Sequence, residues 1–159
     1  MIFLAVSLQS APLLAADKSL ENYRNLKPIA SFGSISVSVH SADAKSPAPE
    51  TALSSEALTR YLQLQVASHF PDVPHSGGTD PKDQSVVGYL LCRVWLDVGS
   101  SPAVFQVKCQ ISTSTHISII DDVSFGYGPK EKVPAIIREQ IDQILKGFAV
   151  IFFRVREEM

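Results

Sequence analysis

The sequence predicts an α+β domain: an antiparallel sheet of about four strands with two helices packed on one face, in the order β-α-β-β-β-α. Three patterns point there. Residues 34–40 alternate strictly, with Ile35, Val37 and Val39 between serines and a final histidine, which is the period of a half-buried strand. Two longer alternating runs, 89–98 and 103–112, flank Gly99-Ser100-Ser101-Pro102, as the arms of a hairpin do. Residues 55–70 and 133–156 instead repeat their apolar positions at three and four, the period of a helix.

Residues 1–16, MIFLAVSLQSAPLLAA, carry no charge, and Asp17 and Lys18 are the first charged residues. An apolar run that ends in small residues fits a secretory signal cleaved after Ala16. Ser7, Gln9, Ser10 and Pro12 interrupt it, and it is too short to span a membrane. Asp17 stands where a lipoprotein would need its cysteine, so no lipid anchor is expected. The expected product is periplasmic or secreted: a single domain over 17–159, with an N-terminal extension at 17–33 and a core at 34–156.

After the first strand, residues 41–51 hold Pro47 and Pro49 and read as a loop. Ser54 and Ser55 can cap the helix that follows, and Glu56 in its first turn favours the helix dipole. Leu58, Tyr61, Leu62 and Val66 form its buried stripe, and Pro71 stops it. Residues 69–85 hold three prolines and Gly77-Gly78, and read as a long loop.

Closing the hairpin at Gly99–Pro102 sets Leu90 opposite Ile111, Cys92 opposite Cys109, Val94 opposite Val107, Leu96 opposite Phe105 and Val98 opposite Ala103. All of these are apolar. The other face carries Arg93, Trp95, Asp97, Gln106, Lys108 and Gln110. A slip of one residue would bring Gln106 and Lys108 into the core, so the register is strongly specified.

A further strand is expected over 117–125, interrupted by Asp121 and Asp122, which read as a bulge. Phe125-Gly126-Tyr127-Gly128 reads as a turn that ends it. In the last helix Pro134 takes a first-turn position, where its missing N–H costs nothing. Ile137, Ile141, Ile144, Phe148, Phe152 and Val155 make one stripe, widened by Ile136, Leu145 and Ile151. Gly147 within it marks either a weak point or a close contact with the sheet.

The chain has two cysteines, and in an exported protein a pair suggests a bridge. The hairpin sets Cys92 directly across from Cys109. Their Cα atoms should lie about 4.5 Å apart in a non-hydrogen-bonded pair, or about 5.5 Å in a hydrogen-bonded one. The alternative is two buried thiols acting as small hydrophobes.

Length and composition exclude several classes. The 159 residues suit one domain with a sizeable core. At 45% hydrophobic and 19% charged, the chain is not a disordered one. A net charge of −2 argues against a nucleic-acid partner. No cofactor motif is present, and neither glycine pair matches a phosphate-binding loop.

Three groups are candidates for function. Tyr89, Arg93, Trp95, Lys108 and Gln110 share the outer face of the hairpin, where a tryptophan between cations would suit a contact surface. His69, Asp72 and His75, with Asp80 and Asp83, offer metal-ligand chemistry on one loop, although no motif fixes their geometry. His40, His116, Asp121 and Asp122 would give an acid–base pair if folded together.

The helix over 55–69, the hairpin around Gly99, Phe125-Gly126-Tyr127-Gly128 and the run from Ile137 to Phe153 together resemble a family of small exported bacterial α+β proteins of unassigned function. The resemblance covers 34 to about 153 and implies no catalytic residue. The topology is also similar to the α/β domains of envelope-assembly proteins such as curli-export lipoproteins. The function expected is a non-catalytic envelope module that binds a protein or small ligand. One alternative is a metal-dependent hydrolase working from the loop between His69 and Asp83. Another is a structural protein that self-associates through the edge beside Ile35, Val37 and Val39.

Overall fold

The computed structural model describes residues 20–41, 53–75, 86–113 and 118–158. The expected signal segment therefore lies outside the described residues, as do Gly77-Gly78, Asp80, Asp83 and His116. A 3-10 helix, Leu20–Leu26, leads into strand β1, Ile29–Ser41. Helix α1, Ser55–His69, follows, then β2, Val86–Asp97, β3, Ala103–Thr113, and β4, Ser118–Gly128. A short 3-10 turn, Lys130–Lys132, opens into α2, Val133–Glu158.

The class and the element order agree with the sequence, but the sheet is mixed. Its spatial order is β1-β2-β3-β4, with β2-β3 and β3-β4 antiparallel and β1-β2 parallel. The reason is the connection. A helix between two neighbouring strands returns the chain to the end where the first strand began, so the second runs the same way.

The hairpin register is the expected one throughout, from Leu90 opposite Ile111 to Leu96 opposite Phe105. Cys92 and Cys109 form a disulfide with Cα atoms 4.1 Å apart, on the side of the non-hydrogen-bonded pair. It sits inside the core, with both residues buried. Asp97 shapes the turn: its carboxylate accepts the N–H groups of Gly99 at 2.9 Å and Ser100 at 3.3 Å.

One sheet face is packed. Ile35 and Val37, Leu90 to Leu96, Phe105 to Ile111 and Ile120 alternate inward along the four strands. Both α-helices meet this face through Leu58, Leu62 and Val66 of α1 and the expected stripe of α2, all buried. Tyr61 is only half-buried. Ser54 caps α1 by accepting the Ala57 N–H at 3.1 Å. At one end of the core Phe32, Phe70 and Phe152 pack ring against ring, with Phe70 edge-on to both partners at 5.4 and 5.5 Å.

Three local expectations are corrected. The strand begins at Ile29, not Ser34, because Ile29 and Phe32 are fully buried partners of the core and Tyr23 and Leu26 pack beside them. The register shift between β3 and β4 falls at Ile111/Ser112, while Asp121 and Asp122 pair regularly with Gln110 and Cys109. Finally, Phe125-Gly126-Tyr127-Gly128 is strand, not turn. Gly126 and Gly128 face inward, and a Cβ on Gly126 would come within 2.7 Å of the Phe105 ring. Glycine here permits close packing inside a strand. Gly147, by contrast, has nothing within 4 Å of where a Cβ would be, so it is not a contact with the sheet.

The two glycines should therefore respond oppositely. Gly126→Val forces Phe105 aside and should cost about 1–3 kcal/mol. Gly147→Ala removes a helix-interior glycine without a clash and should stabilise by about 0.5–1 kcal/mol. Urea unfolding of both variants checks the pair; a stabilising Gly126→Val would contradict the packing described.

Candidate functional site

The outer face of the sheet forms a grid that follows from the register. His40 of β1 pairs with Trp95 of β2, Trp95 with Gln106 of β3, and Gln106 with Phe125 of β4. One row further along the hairpin, Asp97, Val104 and Tyr127 line up in the same way. On the opposite side of the aromatic row stand Ser38, Arg93, Lys108 and Val123.

The two rows that carry the rings lie open. Trp95 is 37% exposed, Val104 44%, Phe125 57% and Tyr127 39%. The His40 ring stacks on the Trp95 indole at 5.8 Å between centroids and 24° between planes. Beside them a shallow depression of about 300 Å³ is lined by Ser41, Trp95, Asp97, Val104, Gln106 and Phe125. Four large apolar side chains exposed together on one face of a folded sheet are uncommon outside contact surfaces.

The expected surface residues do share this face. Arg93 and Lys108 oppose each other as anticipated, and the repulsion is relieved within the chain: Lys108 Nζ lies 2.8 Å from Asp121 Oδ2 on β4. That pair is well exposed, so it sets orientation more than stability. Arg93 is exposed and has no ion pair among the described residues. Tyr89 and Gln110 stand nearer the other end, away from the aromatic row.

Sequence reading missed His40, Val104, Phe125 and Tyr127 as members of this surface. Parallel pairing is what brings His40 beside Trp95. The signal for the β4 residues was present, since Val123, Phe125 and Tyr127 alternate with small residues, but the two glycines masked it. Helix α2 supports this end from within: the Gln140 amide donates to the Phe125 carbonyl at 3.4 Å.

The other candidates are dispersed. His69 closes α1, and its Nε2 donates to Asp142 of α2 at 2.7 Å. Asp72 is exposed, and His75 pairs through its backbone with Phe32 on the β1 edge. The expected set of His69, Asp72 and His75 therefore does not converge, and among the described residues no three His, Cys, Asp or Glu side chains could hold an ion. The helix end sets His69 against Asp142, while Phe70 and Val73 turn into the core and His75 is held at the β1 edge. His40 and Asp121 lie on opposite edge strands, so they form no acid–base pair.

His69 instead belongs to a polar seam between the helices. Asp142 receives His69 on one oxygen and Lys146, at 2.7 Å, on the other. Tyr61 donates to the Arg138 carbonyl at 3.2 Å. Partial burial pushes the Asp142 carboxyl up, but the hydrogen bonds from Lys146 and His69 outweigh it and hold its pKa below the usual carboxylate range. Asp122 is the opposite case. It faces inward beside Cys109, and burial raises its pKa despite a bond from the Val123 N–H.

These opposite shifts give opposite pH effects. A lowered folded-state pKa contributes stability above the carboxylate range that is lost as pH falls through it; a raised one favours the fold only while the group is protonated. Asp142→Asn should therefore lower Tm at pH 7, and Asp122→Asn should raise it. Both differences should shrink as the pH drops below the carboxylate range, and thermal melts at pH 7 and at acid pH decide it. Comparison with protein-family models, curated proteins and solved structures returned no match.

Proposed function

We propose that the chain is an exported, non-catalytic binding module of the bacterial envelope, and that its partner or ligand seats on the open face of the sheet. One observation carries the reading: Trp95, Val104, Phe125 and Tyr127 are exposed side by side on a sheet whose other face is the core. Ordered aromatics on a rigid platform give contact area at little entropic cost.

Export is supported by the uncharged start of the sequence and by the buried cystine, since cytosolic thiols are kept reduced. Among the described residues no helix is long and apolar enough to cross a membrane.

Self-association through the β1 edge has less support. The N–H groups of Val37 and Val39 already donate to Thr59 Oγ1 at 2.9 Å and Ser55 Oγ at 3.0 Å. Further up the edge, the Phe32 N–H donates to the Pro74 carbonyl at 2.9 Å. An edge with three of its donors already taken is a poorer template for another strand than a bare one.

The test is a photo-crosslinking residue placed at Gln106, or at Arg60 on the outer side of α1, in the chain expressed in a bacterial host. Adducts from Gln106 and not from Arg60, in exported protein whose intact mass shows a start near Asp17 and an oxidised cysteine pair, are expected. Adducts only from Arg60 would move the site to the α1 side. An uncleaved chain with two free thiols would overturn the envelope assignment.

A further inference from the structure

The aromatic row crosses the strands, and that direction constrains what can lie on it. Neighbouring strands are about 4.8 Å apart, so Trp95 on β2 and Phe125 on β4 stand roughly 10 Å from each other across the sheet. The Gln106 side chain occupies the position between them, and His40 on β1 stacks against Trp95 and steadies it. To one side is the depression at Asp97 and Val104; to the other is the exposed Arg93.

Several occupants fit poorly. A second copy would need about 800 Å² per partner, whereas the whole outer face, five rows from Tyr89 to Asp97 over four strands, covers only roughly 650 Å². An amphipathic helix needs a groove, and this end of the sheet offers only a shallow depression. A nucleic-acid strand would stack on the rings, but it also needs several cations tracking its phosphates. Here the Lys108 ammonium is paired with Asp121, leaving Arg93 as the cation of the row, in a chain of net charge −2.

The pattern suits a sugar polymer. In an extended β-linked hexopyranose chain, alternate rings turn equivalent C–H faces the same way, at about the separation of Trp95 and Phe125. Each such face can lie on an aromatic ring, where weak C–H contacts replace water. The unit between them presents hydroxyl or acetamido groups to the Gln106 amide, which both donates and accepts. Two platforms under alternate units span three sugars, and the one exposed arginine beside them matches a carboxylate on the middle unit.

From this we infer that the face binds an extended β-linked amino-sugar glycan with a free carboxylate on alternate units, the chemistry of bacterial cell-wall strands stripped of their stem peptides. Trp95 and Phe125 carry the sugar rings, Gln106 reads the unit between, and Arg93 meets the carboxylate. The inference rests on the binding-module reading above and names its ligand.

Trp95 is the chain's one tryptophan, so its fluorescence reports on this surface directly. The full chain is titrated with peptide-free cell-wall glycan strands, with neutral chitin oligosaccharide of the same length, and with oligothymidylate, using fluorescence and calorimetry. Saturable binding of the glycan strands is expected, with weaker binding of the neutral oligosaccharide. Phe125→Ala should weaken the glycan-strand complex about tenfold or more, as removal of an aromatic anchor does. Arg93→Gln should reduce affinity for the carboxylate-bearing strand alone, and Leu64→Ala, on the exposed side of α1, should change nothing.

No binding of either glycan, binding indifferent to Phe125→Ala, or tighter binding of oligothymidylate would each overturn the inference. If glycans fail while the Gln106 crosslinker still captures an adduct in exported protein, the binding face stands and the ligand class is wrong. If both fail, the binding-module reading falls with it.

Discussion

The constraint on which the rest depends is the register of the β2–β3 hairpin. Side chains alternate across a strand, so one pairing assigns every residue of both arms to the core or to the open face. Here Leu90, Cys92, Val94 and Leu96 meet Ile111, Cys109, Val107 and Phe105 inside. Trp95, Arg93, Gln106 and Lys108 are outside as a direct result. The Cys92–Cys109 bridge closes a separation of 17 residues within the buried layer, and so excludes any slipped pairing. Its loop length corresponds to roughly 3 kcal/mol of constraint on the unfolded chain.

From the hairpin outward, each neighbour takes its place by a different device. β4 pairs with β3 and gives up side chains at Gly126 and Gly128 to accept Phe105 and α2. β1 lies parallel on the other side because α1 intervenes, and α1 in turn caps β1's outward N–H groups through Ser55 and Thr59. Both helices pack on one face, and Val37, Val39 and Phe32 on the β1 edge already donate to α1 and to Pro74, while the outer face has no helix across it among the described residues.

Legibility in the sequence tracked the range of the contacts. The hairpin, with its two arms four residues apart, was readable pair by pair because the apolar alternation admits one register. The α1 cap at Ser54 and the α2 stripe from Ile137 to Val155 were readable for the same reason: their signals are local. The direction of β1 was not, since nothing within 34–40 says which neighbour it meets; the intervening helix was the available clue. Phe125-Gly126-Tyr127-Gly128 misled because glycine is common both in turns and where a strand packs closely, and only the position of Phe105 distinguishes the two. His69 paired with Asp142 across 73 residues, a distance over which a single sequence carries no pairing signal.

In the folded chain the Trp95 face is open, and a ligand can reach it only if the indole is accessible to solvent. Acrylamide quenching of the single tryptophan, in the native protein and in urea, tests it most directly. An accessible Trp95 in the native state, quenched by acrylamide before unfolding although less than in the unfolded chain, is the expected result for a ring 37% exposed and stacked by His40. A blue-shifted emission that resists quenching until the protein unfolds would mean the face is covered, and would contradict the account.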